Sequence, residues 1–206
     1  MQELQPGLWW WEAVHPQWTP GHDAAGLDWG PDVSSYAIDD GQRLLLIDPT
    51  TPPSPVGELA ASRETAIVLT CPWHARAART LVDLFGATLY APPPDDGDSD
   101  PLPAQLFSAG DRLPIGIEAF PGMEPNDLVL WIEGRRALTV GDTLVDRGNS
   151  LEFPRDWASR GAIAERGVPP ADIFASLRPL LELPVELVLP THGPPADRAA
   201  LERALG

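Results

Sequence analysis

Short apolar runs alternate along this chain with turn-forming and charged stretches. Runs that are rich in aromatic and β-branched residues predict strands, because such side chains suit a pleated, half-buried surface. The predicted strands are 8–14, 33–38, 44–48, 66–70, 88–90, 113–120, 128–133, 137–140 and 185–189. The stretches 39–43 and 133–136 contain glycine beside an acidic residue, so they predict hairpin turns between neighbouring strands.

Apolar residues also recur at helical spacing in several places. The pattern predicts helices over 56–62, 75–85, 171–181 and 196–205, with Gly86 suited to end the second of them. Strands and helices in this order predict an α+β fold.

Polar side chains follow three of the predicted strands. Cys71, His74 and Arg76 come after 66–70, Asp142 follows 137–140, and His192 follows 185–189. Proteins with mixed α and β structure commonly keep their chemistry at the carboxyl ends of strands. His74, Arg76, Asp142 and His192 are therefore the candidate catalytic residues.

Length, charge and composition narrow the classes of function. The 206 residues can bury one substantial core, which favours a single domain over 1–206. A formal net charge of −16 disfavours nucleic acid and membrane as partners, because both repel an acidic surface. All 14 basic residues are arginines, which excludes Schiff-base chemistry. The lone cysteine, Cys71, fits a reducing compartment, so we expect a cytoplasmic protein.

Two irregular stretches leave alternatives open. The loop 15–23, with His15 and His22, is either a lid or an ordinary surface loop. The proline-rich stretch 92–103 carries several aspartates. The stretch is either an exposed, solvated loop or, as the alternative, a calcium site formed by its carboxylates.

Taken together, the polar strand ends resemble motifs of the metallo-β-lactamase-fold superfamily. Residues 34–36 with 46–49 are similar to its opening hairpin, and 69–76 stands where its main histidine motif belongs. Residues 141–144 resemble its bridging aspartate motif, and 189–193 its final histidine motif. The resemblance implies a four-layer αββα sandwich that holds one or two zinc or iron ions, which activate water for hydrolysis.

The sequence departs from the family at most of its metal ligands. The family's His-x-His-x-Asp-His reads as 71–76 here, and Met123 replaces the middle histidine. Asp142 and His192 remain as metal ligands by resemblance. Two ligands do not hold a catalytic zinc unless Cys71, His74 or a loop histidine joins them, so the cofactor stays open between zinc or iron and none.

A metal-free site is the alternative that the residues suggest. The Arg76 guanidinium could form an ion pair with Asp142 where a cation would otherwise sit, and Trp73 would fill the vacated volume. Cys71 is either a thiolate nucleophile or soft ligand, or a buried and inert residue.

Two functions from different classes follow from this pattern. The first is a hydrolase-like protein with an eroded metal site, mononuclear or metal-free, that acts on a small ester, lactone or related substrate. The second is a non-catalytic descendant whose inherited cleft binds a small molecule or a protein. The retained Asp142 and His192 favour the first, and the lost histidine motif favours the second.

Overall fold

The computed structural model describes residues 1–21, 30–94, 100–146, 150–158 and 161–206. The chain divides into two compact units, Met1–Leu106 and Phe107–Gly206. The prediction of one domain over 1–206 stays a prediction.

The first unit is built on a seven-stranded sheet whose strands lie side by side in chain order. Its strands are β1 (Gln2–Gln5), β2 (Leu8–Val14), β3 (Asp32–Asp39), β4 (Arg43–Ile47), β5 (Glu64–Val68), β6 (Thr88–Ala91) and β7 (Gln105–Leu106). Strands β1 to β4 pair antiparallel, whereas β4 to β7 pair parallel. The pairing changes from antiparallel to parallel at β4. Because β4 and β5 are parallel, their carboxyl ends lie at the same edge of the sheet.

Two helices connect the parallel strands of this unit. Helix α1 (Ser54–Ser62) joins β4 to β5, and α2 (Ala78–Phe85) joins β5 to β6. Their apolar faces pack on the sheet with Leu44, Leu46 and Ile67 in one core cluster. Helix α2 ends where Gly86 adopts φ 65° and donates its N–H to the Val82 carbonyl, as the sequence predicts.

The second unit is built on a six-stranded sheet in the order β15-β14-β11-β10-β9-β8. Its strands are β8 (Arg112–Leu113), β9 (Ile117–Pro121), β10 (Leu128–Ile132), β11 (Ala137–Thr139), β14 (Leu187–Leu189) and β15 (Ala196–Asp197). In a separate two-stranded sheet, β12 (Val145–Asp146) pairs antiparallel with β13 (Leu151–Glu152). In the six-stranded sheet only β11 and β14 pair parallel among the described strands.

The helices of the second unit are α3 (Gly161–Glu165), α4 (Pro170–Ser176) and α5 (Arg198–Leu205). Ile173 of α4 and Leu201 of α5 share a core cluster with Val129 and Leu138 of the sheet. Asp197 accepts the Ala200 N–H at 2.8 Å and so caps the start of α5. Each unit thus combines one large sheet with helices packed against it.

Several predicted elements differ from the structure in their bounds, and three of them do so for a clear local reason. The helix predicted over 75–85 begins at Ala78, because Arg76 adopts a positive φ of 37° that no α-helix contains. The strand predicted over 113–120 is divided by a turn in which the Gly116 N–H bonds to the Leu113 carbonyl. The helix predicted over 171–181 ends at Ser176 and continues as a 3₁₀ turn, where Pro179 has no N–H to donate.

The turn predicted over 133–136 joins β10 and β11 as expected, in the form of a short 3₁₀ segment. Strands β1, β7, β12, β13 and β15 were not predicted. They are short, and an apolar pattern needs more residues than they contain. Among the described residues, no helix combines the length and apolar character needed to cross a bilayer.

Candidate functional site

Asp142 and His192 are brought together by the parallel pair β11 and β14. In its register Thr139 lies opposite Leu189, and each candidate residue stands three positions beyond the end of its strand. Matching offsets on adjacent parallel strands place the two side chains at the same sheet edge. The Nε2 atom of His192 lies 3.2 Å from Oδ1 of Asp142.

This pair is only partly shielded from solvent. The His192 and Asp142 side chains are 14% and 15% exposed. The indole of Trp157 meets the imidazole edge to face, with ring centroids 5.7 Å apart at 83°. The imidazole is therefore fixed by a carboxylate and an aromatic ring while part of the pair stays open to a ligand.

The backbone beside His192 leaves no room for a side chain. Gly193 adopts φ 98°, and a Cβ there would lie 2.6 Å from Cβ and 2.7 Å from the carbonyl oxygen of Asp146. The same two segments are joined by a hydrogen bond in which the Asp146 N–H donates to the His192 carbonyl at 2.8 Å. Glycine is thus required for the turn that presents the imidazole.

A buried carboxylate, Asp127, supports the turn that carries Asp142. It accepts the Thr143 hydroxyl at 2.7 Å and the Asp142 N–H at 3.3 Å. The Thr143 oxygen in turn accepts the Met123 N–H at 2.8 Å. The sequence analysis missed Asp127, although an acidic residue directly before a fully apolar strand was a visible signal.

In the first unit, His74 forms a second histidine–carboxylate pair, with Asp48. Its Nδ1 lies 3.2 Å from Oδ2 of Asp48 and 3.0 Å from the Thr70 hydroxyl oxygen. Both members of the pair are 3% exposed. Asp48 also accepts the Thr70 N–H at 2.8 Å and the Thr70 hydroxyl at 2.6 Å.

Charge keeps this buried carboxylate ionised. Burial by itself raises the pKa of Asp48, but His74, Arg76 and the Thr70 hydroxyl favour the carboxylate more strongly, and its pKa lies below the usual range. Asp48 follows β4 directly and adopts φ 43°. It was overlooked as a site residue, although an aspartate at the end of an apolar strand is the same signal that pointed to Asp142.

Arg76 binds the main chain of its own unit. Its Nη1 donates to the carbonyls of Ser34 and Asp48 at 2.9 and 2.8 Å. The ion pair from Arg76 to Asp142 stays a prediction. The expectation that Trp73 fills a vacated interior volume is wrong, because this side chain is 37% exposed.

The other candidate ligands have different environments. Cys71 is fully buried, and Met123 belongs to the core of the second unit. His15 is nearly buried, and its Nδ1 accepts the Gln17 N–H at 3.2 Å. His22 and the aspartates at 95–98, with the lid and calcium interpretations that depend on them, lie outside the described residues.

Several solved structures share this fold. TTHA1623, crystallised in a di-iron-bound form, is 27% identical, with a TM-score of 0.62 over 85% of this chain and 95% of its own. The B3 metallo-β-lactamase BLEG-1 is 20% identical, with a TM-score of 0.61 over 85% and 94%. The metallo-β-lactamase DIM-1 is 14% identical, with a TM-score of 0.69 over 99% and 94%. No protein-family model and no curated protein matches the sequence.

These likenesses confirm the expected fold class, which is the α+β metallo-β-lactamase fold. The neighbours that are described as metallo-β-lactamases are at most 20% identical to this chain, so the likeness establishes the fold.

Proposed function

We propose that this chain is a hydrolase with an eroded metal site, acting on a small ester, lactone or related substrate. The contact of 3.2 Å between His192 and Asp142 is the observation that carries the proposal. A partly exposed histidine beside a carboxylate at the ends of adjacent strands is an arrangement suited to general acid–base chemistry.

The pair divides the work between its two members. The Asp142 carboxylate lies 3.2 Å from Nε2 of His192 and orients the ring. The other ring nitrogen, Nδ1, takes a proton from a water molecule while the oxygen of that water attacks the substrate carbonyl carbon. When the carbon–oxygen bond of the ester breaks, the same proton passes to the leaving alkoxide.

The fold also implies a metal ion, so we compare the spacing and number of the donor atoms with those of a zinc site. Two donors on one zinc ion, each at its usual bond length, would lie about 3.3 Å apart in a tetrahedral shell. The separation of 3.2 Å between Nε2 and Oδ1 therefore suits a shared ion as well as an ion pair. A catalytic zinc needs three protein ligands, however, and this pair supplies two. When bound, such an ion activates water; the steps above do not depend on it.

We also propose His74 and Arg76, both of the first unit, as catalytic residues. Histidines that bind a metal usually donate their other ring N–H to a carboxylate, and Nδ1 of His74 faces Asp48 in this way. The Arg76 guanidinium is anchored on the Ser34 and Asp48 carbonyls. The proposed hydrolase is mononuclear if a third donor joins Asp142 and His192, and metal-free otherwise.

The non-catalytic alternative is favoured by the same two residues. His74 is buried against Asp48, and Arg76 holds main-chain carbonyls, so both have structural work in the first unit. In this alternative the cleft binds a small molecule or a protein and turns nothing over.

We further propose a small molecule as the partner rather than nucleic acid or membrane. The net charge of −16 supports this, because it repels both polyanions. The lone cysteine supports a cytoplasmic location.

Elemental analysis and a substrate panel test the proposal together. The chain is purified without added metal or chelator, assayed for zinc, iron and manganese, and offered ester, lactone, thioester and phosphodiester substrates. We expect turnover of an ester or lactone that falls by about 10²–10⁴-fold in Asp142→Ala, the usual range for loss of acid–base assistance. Asp172→Ala, an exposed acid in the first turn of α4, is the matched control and keeps full turnover.

Metal content decides between the two forms of the site. Stoichiometric metal that disappears in His74→Ala supports the mononuclear form, and turnover without metal supports the metal-free form. Activity that survives Asp142→Ala contradicts the proposed site, and a folded chain with no turnover on the whole panel favours the binding descendant.

A further inference from the structure

The first unit contains a cavity of about 370 Å³ between the start of α2 and the chain that follows β6. Its described wall combines polar and apolar surface, with Leu69, Ala91, Pro94 and Leu102 among the apolar lining residues. A volume of this size holds a small organic molecule, since ligand cavities commonly measure roughly 300–1,000 Å³. None of the steps proposed for Asp142 and His192 uses this cavity.

The polar part of the same wall is rich in guanidinium groups. Arg76 and Arg79 both line the cavity, together with the Thr80 side chain. Arg79 and Thr80 lie in the first turn of α2, where the helix dipole favours an anion. The chain as a whole is strongly negative, with a net charge of −16, whereas two arginines lie together at this cavity.

A carboxylate of the chain already occupies the rim of this cavity. Asp100 accepts from Nη2 of Arg79 through its Oδ2 at 3.0 Å and through its main-chain carbonyl at 3.2 Å. The two side chains are 50% and 84% exposed. Exposed ion pairs of this kind are weak, so another carboxylate can replace Asp100 on the guanidinium.

We propose that this cavity is a binding site for a small monocarboxylate with an apolar body. The carboxylate of the ligand takes the place of Asp100 on Arg79, and the apolar body lies against Leu69, Ala91 and Leu102. Asp100 acts as a competing internal anion, which keeps the affinity low until the ligand concentration rises. The cavity shares Arg76 with the residues of the hydrolase proposed above, but the proposed ligand contact is Arg79, so this inference remains if that function is disproved.

The test is isothermal titration of the full chain with 2-naphthoate and, separately, with its neutral analogue 2-naphthamide. We expect saturable binding of 2-naphthoate that is at least about tenfold tighter than binding of the amide, because only the acid forms a charge-assisted hydrogen bond with Arg79. Arg79→Gln should weaken 2-naphthoate binding by about tenfold and leave the amide unchanged. Asp100→Asn should tighten it by about threefold, because the internal competitor is gone.

Arg63→Gln is the matched control, since Arg63 pairs with Asp39 in the same unit and does not line the cavity. It should leave binding of both probes unchanged. Thermal unfolding of each variant confirms that the unit is folded before titration. Equal affinity for acid and amide, an unchanged affinity in Arg79→Gln, or no saturable binding to the wild-type chain each overturns the proposal.

Discussion

The two units each hold a histidine beside a carboxylate at 3.2 Å, yet the surroundings of these pairs differ. In the first unit Asp48 and His74 are almost fully buried, and the Thr70 N–H and hydroxyl also donate to Asp48. In the second unit Asp142 and His192 are four to five times more exposed. The same contact is therefore buried among further hydrogen bonds in one unit and partly exposed in the other.

This comparison shows that distance alone does not reveal the role of a histidine–carboxylate pair. A carboxylate that accepts several hydrogen bonds inside the protein is a structural anchor, because each donor would be left unsatisfied without it. A pair at a sheet edge with an aromatic wall keeps room for a ligand. Substitution of Asp48 should therefore mainly lower stability, whereas substitution of His192 should mainly lower turnover.

Loss of the buried anchor has the largest expected effect on stability. Asp48→Ala leaves His74 and the Thr70 donors without their acceptor, and removal of one partner of a buried pair costs roughly 3–5 kcal/mol. Denaturant unfolding measures this loss in free energy of unfolding. Glu64→Ala, which removes an exposed ion pair with Arg43, is the control and should cost about 1 kcal/mol or less. Equal costs for both variants would contradict the anchor role.

The same carboxylate predicts how stability depends on pH. The pKa of Asp48 is lower in the folded chain than its ordinary value, so its stabilising contribution is present above that ordinary value. The contribution is lost as pH falls through the lower, folded-state pKa. Unfolding followed from neutral to acidic pH should show a loss of stability on acidification that is smaller in Asp48→Asn. Identical acid profiles for the two chains would exclude this assignment.

The turn beside His192 is the next most sensitive position. Gly193→Ala forces a Cβ into Asp146 at a positive φ, which together should cost roughly 2–4 kcal/mol. Gly134→Ala is matched to it, because a Cβ at Gly134 meets nothing within 4 Å. Thermal unfolding should show a clear loss in the first variant and almost none in the second. A Gly193→Ala variant that is as stable as wild type would mean that the turn can shift to accommodate the added methyl group.

Support of Asp142 by Asp127 is expected to matter less. Asp127→Ala leaves the buried Thr143 hydroxyl without its acceptor, which costs roughly 1–3 kcal/mol in free energy of unfolding. Because Asp127 also holds the Asp142 N–H, turnover per folded molecule should fall as well. A stability loss with unchanged turnover would limit Asp127 to a structural role.

The smallest effect is expected at the aromatic wall. Trp157→Leu removes the edge-to-face contact with His192, and such contacts contribute roughly 0.5–1.5 kcal/mol. Turnover should therefore fall by about two- to tenfold. Trp73→Leu, at an exposed ring in the first unit, should leave turnover unchanged.

The sequence predicted what depends on local pattern. Most long strands, both hairpin turns and the end of α2 at Gly86 follow from residues close together in the chain. Asp142 and His192 were predicted because each lies two or three positions after a predicted apolar strand, and the parallel register of β11 and β14 then brings them together.

The Asp48–His74 pair could not be predicted in the same way. Its members are 26 positions apart, and their contact depends on the parallel pairing of β4 with β5 and on the positive φ of Asp48. Neither a strand register nor a backbone angle can be obtained from apolar periodicity alone. The exposure of Trp73 depends on tertiary packing for the same reason.

The most direct test of the account is kcat/KM of His192→Ala compared with wild type, expressed per folded molecule, on whichever ester or lactone the wild-type chain hydrolyses. We expect a loss of about 10²–10⁴-fold, because the imidazole acts on the substrate in the proposed mechanism. Wild-type turnover per folded molecule in His192→Ala would contradict it.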